Sequence, residues 1–147
     1  MTIIKIGKPS YAEYSSLVQV FQKRLKPMAK INHVELKAYQ GIEQSDKSLV
    51  KHLAKLDYIV CLDETGKRLS SVAYAELIQS WQENPAIKHI GLIIGGPYGL
   101  TPSVTEKANA TIRLSDCTFP SDLAWLVLWE QTYRAFSILS GSQYHHV

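Results

Sequence analysis

Much that would assign a function quickly is missing from this 147-residue chain. Its two cysteines, Cys61 and Cys117, are too few for a disulfide framework. A reducing compartment, and so a cytoplasmic protein, is the expectation. No apolar run is longer than Leu123–Trp129, whereas a bilayer span takes ~20 residues, so no membrane partner is expected. The opening Met1-Thr2-Ile3-Ile4-Lys5-Ile6 lacks the basic segment and long apolar stretch of a secretory signal. Cys-x-x-Cys and His-x-x-x-His are absent, so no metal site is expected. Missing too are a Gly-x-Ser-x-Gly elbow, the spaced glycines of a dinucleotide fingerprint and a phosphate loop ending in Lys-Ser/Thr. There is no repeat, no low-complexity tract and no linker, so residues 1–147 are expected to form a single domain. Hydrophobic residues at 46% and charged residues at 20% are enough for a real core and exclude a disordered chain.

The net charge of +3 is unevenly placed. Residues 1–60 carry ten basic and five acidic side chains, and residues 61–147 carry six and eight. Lys23, Arg24, Lys26 and Lys30 are close together, with Lys47, Lys51 and Lys55 further on. Such a region attracts phosphates without specificity, although lysines on any solvated helix give the same pattern.

Apolar patterning alternates between short β-rich runs and helical periodicity. Strands are predicted at Thr2–Ile6, Ile31–Tyr39, Tyr58–Leu62, His89–Ile94 and Ala110–Leu114. Ser10 is expected to cap a helix to about Lys26, with Tyr14, Leu17, Val18, Phe21 and Leu25 at helical spacing. Ser45 is expected to cap a second helix with Leu49, Val50 and Leu53 inward. A third starts at Ser70 or Ser71 and stops at Asn84-Pro85. A short one is expected over Thr101–Asn109, and a long one follows Pro120 to about Leu139. Strand–helix alternation with buried strands argues for an α/β fold: a mostly parallel sheet flanked by helices.

In such sheets ligands bind beyond the carboxyl ends of the strands. Three ends stand out: Leu62-Asp63-Glu64-Thr65-Gly66-Lys67, Ile94-Gly95-Gly96-Pro97-Tyr98-Gly99-Leu100 and Leu114-Ser115-Asp116-Cys117-Thr118-Phe119-Pro120. Adjacent glycines allow close backbone approach to a ligand, or simply a tight turn. The last helix is apolar on more than one side, through Leu123, Leu126, Val127, Leu128, Trp129, Tyr133, Phe136 and Leu139. A second subunit would bury it, as would a central position within one domain.

Those three strand ends, in that order, resemble the ribosomal RNA large-subunit methyltransferase H family of the SPOUT (α/β-knot) superfamily. Further matching text is Ile6-Gly7-Lys8, Glu130-Gln131, Tyr133-Arg134-Ala135 and Tyr144-His145. The resemblance runs essentially from end to end. It implies a sheet whose C-terminal part is tied in a deep trefoil knot, a homodimer, and S-adenosylmethionine as cofactor. It also implies methylation of a ring nitrogen of a pseudouridine in large-subunit rRNA on the assembled ribosome, with no DNA partner. By motif, cofactor binding carries over to Leu62, Gly95, Leu114, Ser115, Asp116, Cys117, Thr118 and Phe119. Arg134, Tyr144 and His145 are the family-matched polar residues expected to meet the target base. Methyl transfer from a sulfonium is a displacement that depends chiefly on alignment. At two positions the chain departs from the family: Ser121 and Trp125 stand where a His and an Arg are usual. An alternative reading is therefore a non-catalytic RNA- or ribosome-binding knotted protein, or a methyltransferase with a changed RNA substrate.

Overall fold

The structure is a computed structural model and describes residues 1–37 and 47–145, with the backbone alone at Lys47 and Ser48. Ten elements alternate along the chain: β1 (Thr2–Ile6), α1 (Ala12–Leu25), β2 (Asn32–Leu36), α2 (Lys47–Leu53), β3 (Tyr58–Arg68), α3 (Ser71–Glu83), β4 (Ile90–Ile94), α4 (Pro102–Thr105), β5 (Ala110–Arg113) and α5 (Ser121–Leu139). The five strands form one sheet in the order β2-β1-β4-β3-β5. Every pairing is parallel. The expected α/β architecture is therefore present, and all strand carboxyl ends meet at one edge.

Strand side chains alternate between two faces, and each face has its own core. Ile3, Val60, Leu62, Leu92 and Ile94 pack with α1, α3 and α5. Ile4, Ile6, Ile59, Cys61 and Ile93 pack with Leu49 and Leu53 of α2 and Val104 of α4. β1, β3 and β4 are covered on both sides, which is why they read as nearly continuous apolar runs. α5 lies between α1 and α3. Its buried stripe is Trp125, Leu128, Trp129, Thr132, Ala135 and Phe136.

Several sequence expectations shift. Ser10 does not cap α1; the helix begins after Tyr11, and the Ser10 N–H is instead donated to the Asp122 carboxylate, 2.7 Å away. Leu17 and Val50, expected inward, are exposed. The expected Ser45 cap and the end of the strand predicted to Tyr39 lie outside the described residues. Ser70 does cap α3, its hydroxyl accepting the Ala73 N–H at 3.1 Å. The short helix after the glycine segment covers only Pro102–Thr105.

The largest departure is β3. The segment Asp63–Lys67 reads as a turn, yet the strand continues to Arg68. Its pairing with β5 slips, since both Leu62 and Lys67 face Ile112. Residues 63–66 thus bulge out of the ladder. At Gly66 a Cβ would stand 2.5 Å from the Ile112 carbonyl carbon, so the strand rejoins only because this position has no side chain.

Candidate functional site

A cavity of about 490 Å³ opens at the carboxyl edge of the sheet. Its walls come from the β3 bulge (Leu62, Asp63, Glu64), the end of β4 (Ile94 to Pro97, and Gly99) and the segment from β5 into α5 (Arg113 to Ser115, Cys117 to Asp122, Ala124). Ser10 closes one side. All three strand ends singled out in the sequence therefore converge on one space. Leu62, Gly95, Leu114, Ser115, Cys117, Thr118 and Phe119 line it. Asp116 does not; its carboxylate is turned to Arg113 at 3.0 Å and Arg68 at 3.2 Å.

Local chemistry fixes each wall. In the bulge, Asp63 accepts the Thr65 N–H at 3.0 Å and its hydroxyl at 2.6 Å. Those bonds hold the Asp63 carboxyl below its ordinary pKa. The Thr118 hydroxyl donates to Glu64 at 2.9 Å, tying the bulge to the segment before α5. Across the cavity, Gly96 accepts the Gly99 N–H at 3.0 Å and closes a tight turn. That turn folds back onto Gly95, where a Cβ would lie 2.5 Å from the Gly99 carbonyl.

At the mouth of α5 sits an ion pair that sequence reasoning missed. Lys5, 1% exposed, extends its ammonium to Asp122 at 2.9 Å. It also lies 5.6 Å from the centroid of the Trp125 ring. The other Asp122 oxygen takes the Ser10 N–H. Burial pushes the Asp122 carboxyl up, but Ser10 and Lys5 outweigh it and hold the pKa below the ordinary value. Trp125 is fully buried and stacks on His33, with ring centroids 5.3 Å apart. His33 also meets Trp129 edge-on at 5.6 Å. Burial lowers the His33 pKa, with Glu35 and Lys5 acting in opposite directions. One signal was available in the sequence: a lysine within an Ile-Ile-Lys-Ile strand needs a buried partner.

Arg134, Tyr144 and His145 also come together, but elsewhere. Glu130 is their hub. Its Oε1 accepts Nη2 and Nε of Arg134 at 2.6 and 3.0 Å and the Tyr144 hydroxyl at 3.1 Å. The His145 Nδ1 lies 3.4 Å from Nη1 of Arg134, a contact in which the guanidinium donates. The guanidinium sits 4.7 Å from the Tyr144 ring centroid. Burial, then the Glu130 carboxylate, pushes the Tyr144 phenol up against the pull of Arg134 and Arg24. Gln131 buttresses Glu130 at 2.6 Å and is itself held by Ser71 at 2.7 Å.

This cluster lies on the C-terminal half of α5, whereas the cavity lies at its start. At 1.5 Å per residue, Ser121 and Arg134 are roughly 20 Å apart along the helix. None of Arg134, Tyr144 and His145 lines the cavity. Arg24 of α1 continues the cluster outward, 5.7 Å from the Tyr133 ring, which meets Tyr144 at 4.6 Å. Lys23, Arg24 and Lys26 are exposed beside it. Lys51 on α2 and Lys55 in the turn just after it lie with the opposite sheet face and are not part of that surface.

The family model described as "Predicted SPOUT methyltransferase" matches residues 1–145. The chain belongs to the SPOUT methyltransferase family. Among its relatives are proteins named ribosomal RNA large subunit methyltransferase H. The one from Maridesulfovibrio salexigens is 33% identical, covering 100% of this chain and 98% of the relative. That from Oleidesulfovibrio alaskensis is 35% identical, covering 98% and 97%. Anaeromyxobacter sp. has another at 35%, covering 99% and 98%. The resemblance read from the strand ends is thus borne out over the whole length. Among solved structures, the "probable methylase family protein" from Haemophilus influenzae Rd KW20 has a TM-score of 0.61 at 9% identity, covering 99% of this chain and 70% of that one. A "probable methyltransferase" from Bordetella pertussis Tohama I has a TM-score of 0.55 at 11% identity, covering 92% and 95%. At such identities these two bear on the fold alone.

Among the described residues no group of His, Cys, Asp and Glu could hold a metal ion, and no helix is long and apolar enough to cross a membrane.

Proposed function

We propose that this protein is an S-adenosylmethionine-dependent methyltransferase acting on large-subunit rRNA, where it methylates a ring nitrogen of a pseudouridine on the ribosome. The observation that carries the reading is the cavity. Seven of the eight residues assigned to cofactor binding by motif converge on it, from three separated stretches of sequence. Its volume suits a nucleoside-sized ligand. Leu62, Ile94, Leu114 and Phe119 offer apolar surface for an adenine, and Asp63 and Glu64 provide negative charge for a cationic one. Backbone of the 95–99 and 114–119 segments would hold adenine and ribose.

S-adenosylmethionine, when bound, supplies the electrophilic methyl group. The protein's part is alignment and the handling of one proton on the attacking ring nitrogen. Arg134 is suited to steady the ring as its N–H proton leaves. Tyr144, with its phenol pushed up, stays protonated at neutral pH and donates rather than accepts. His145 stands beside both, its Nδ1 facing the Arg134 guanidinium.

Because the cavity and this cluster are far apart on one chain, the site is read as composite, built from two copies in a homodimer. Support comes from the unburied apolar side chains: Leu123, Leu126 and Val127 of α5 are only half-buried, and Leu17 and Val20 of the neighbouring α1, with Tyr11 just before it, are exposed. RNA is placed along the Lys23–Lys26 surface that continues the cluster. The family's trefoil knot is part of the same reading. β5 lies outside β3, yet α5 starts beside β1, where Asp122 meets Lys5. The chain after β5 must therefore cross back past the 95–99 loop. A cytoplasmic location follows from an rRNA substrate.

The changed-substrate reading rests on Ser121, a cavity-wall residue where the family has His. Trp125 carries less weight there, since it is buried against His33. The test is calorimetry with S-adenosylmethionine, followed by transfer of labelled methyl to ribosomes lacking the modification. A labelled pseudouridine supports the reading. Cofactor binding without transfer to any rRNA defeats it.

A further inference from the structure

Among the exposed large hydrophobic side chains of the described residues, Tyr98 stands apart at 95%. Its surroundings show why it is not tucked away. Pro97 and Tyr98 are the central residues of the turn closed by the Gly99 N–H and the Gly96 carbonyl, 3.0 Å apart. Proline fixes the first corner, and Gly99 leaves the turn at φ +75°. The backbone is packed tightly on itself at Gly95 and lies against the end of β1, where a Cβ on Gly96 would stand 3.1 Å from the Ile6 carbonyl. Pro97 and Gly99 both line the cavity, while Tyr98 between them does not. The turn thus presents an aromatic ring outward, from the rim of the cavity, on backbone with little freedom to fold it down.

We propose that Tyr98 is a stacking platform for a base of the substrate RNA next to the methylated nucleotide. The inference rests on the methyltransferase reading above. A nucleotide that receives a methyl group from this cavity must enter through its opening, so its chain neighbours lie over the rim. A base unstacked from its own helix needs a new π-face. A tyrosine whose backbone is fixed by a tight turn offers one with only its side-chain torsions left to order. Phosphate binding along Lys23–Lys26 carries no sequence information. Tyr98 is a contact to a base instead, and so acts on how well the correct loop is held.

The test compares Tyr98→Ala, Tyr98→Phe and Tyr98→Trp with the unaltered protein. The readouts are steady-state methylation of unmodified ribosomes, S-adenosylmethionine affinity and mass in solution. Loss of one base stack raises KM for the ribosome by roughly 5- to 150-fold in Tyr98→Ala. Cofactor affinity and mass stay unchanged, and Phe and Trp restore KM. An unchanged KM in Tyr98→Ala overturns the inference while leaving the methyltransferase reading intact. Weakened cofactor binding makes the residue a cover for the cavity, and a fall in mass makes it a subunit contact; either result also overturns it. Absence of methylation by the unaltered protein defeats the functional reading, and this inference with it.

Discussion

Replacing Lys5 by Met and Asp122 by Asn, singly and together, probes how the cavity wall is held. The ammonium is almost wholly buried, and Asp122 is its sole carboxylate partner among the described ion pairs. Removing one member of a buried pair costs about 3–5 kcal/mol, because the other charge is left without compensation. The two single variants should differ. In Lys5→Met the carboxylate keeps the Ser10 N–H at 2.7 Å, so the loss falls at the lower end. In Asp122→Asn the ammonium keeps only an amide oxygen and the Trp125 ring, and the loss falls at the upper end. For a chain of this length these costs lower Tm by about 6–20 °C. The double variant leaves no orphaned charge and should be more stable than the sum of the single losses implies. Thermal unfolding at one fixed protein concentration measures all four, since a dimer's Tm depends on concentration.

The pH dependence follows from the Asp122 pKa, which is lowered on folding. A lowered carboxyl pKa contributes stability above its unfolded value of 3.8, and that stability disappears as pH falls through the folded pKa. The gap between wild type and Asp122→Asn should therefore be full at pH 6 and shrink below pH 4. Single variants within about 1 kcal/mol of wild type at pH 6, or strict additivity in the double, would refute the reasoning.

Other outcomes are equally specific. Cys117 is exposed and lines the cavity, while burial pushes the Cys61 thiol up to about 11. One thiol should react quickly with iodoacetamide at pH 8, Cys117→Ser should abolish that phase, and S-adenosylmethionine should slow it; an unchanged rate with cofactor speaks against the cavity as its site. Glu130→Gln frees Arg134 and Tyr144 from their hub and should lower kcat by about 10- to 100-fold, with cofactor affinity unchanged. In the same variant the Tyr144 phenol should titrate at lower pH, read as a difference spectrum against Glu130→Gln/Tyr144→Phe. Gly66→Ala drives a methyl group into the Ile112 backbone and should cost about 1–3 kcal/mol, with faster amide exchange in β5 as the local sign.

The sheet was legible because its strands are short, apolar and separated by helical periodicity, and the cavity because parallel strands collect their carboxyl ends at one edge. Other features depend on contacts between residues distant in sequence. The β3 bulge looks like a turn in isolation, and only Ile112 across the ladder shows that the strand resumes. Ser10 has the composition of a helix cap, yet Tyr11 holds the cap position and the Ser10 N–H is bound to Asp122, distant in sequence. Lys5 has no local signal of its partner. Leu17 and Val50 sit at the right helical spacing and still face outward, since periodicity marks a stripe and not its width. In the candidate site the motif alone points to eight cofactor residues, and only the fold separates Asp116, bound to two arginines, from the other seven. Glu130 was part of the matching text without a role. Its function as hub is visible only once the tail has folded back onto α5.

The composite site is the central claim, and subunit complementation tests it most directly. Gly95→Ala damages the cavity and Arg134→Ala removes the guanidinium, and each homodimer should be inactive on unmodified ribosomes. After the two variants are mixed and their subunits exchanged, half of the dimers hold one copy of each. Every such dimer has one undamaged site, so about a quarter of wild-type activity should return. No recovery, despite heterodimers confirmed by mass spectrometry, would show that the cavity and the Arg134 cluster do not serve each other across the interface.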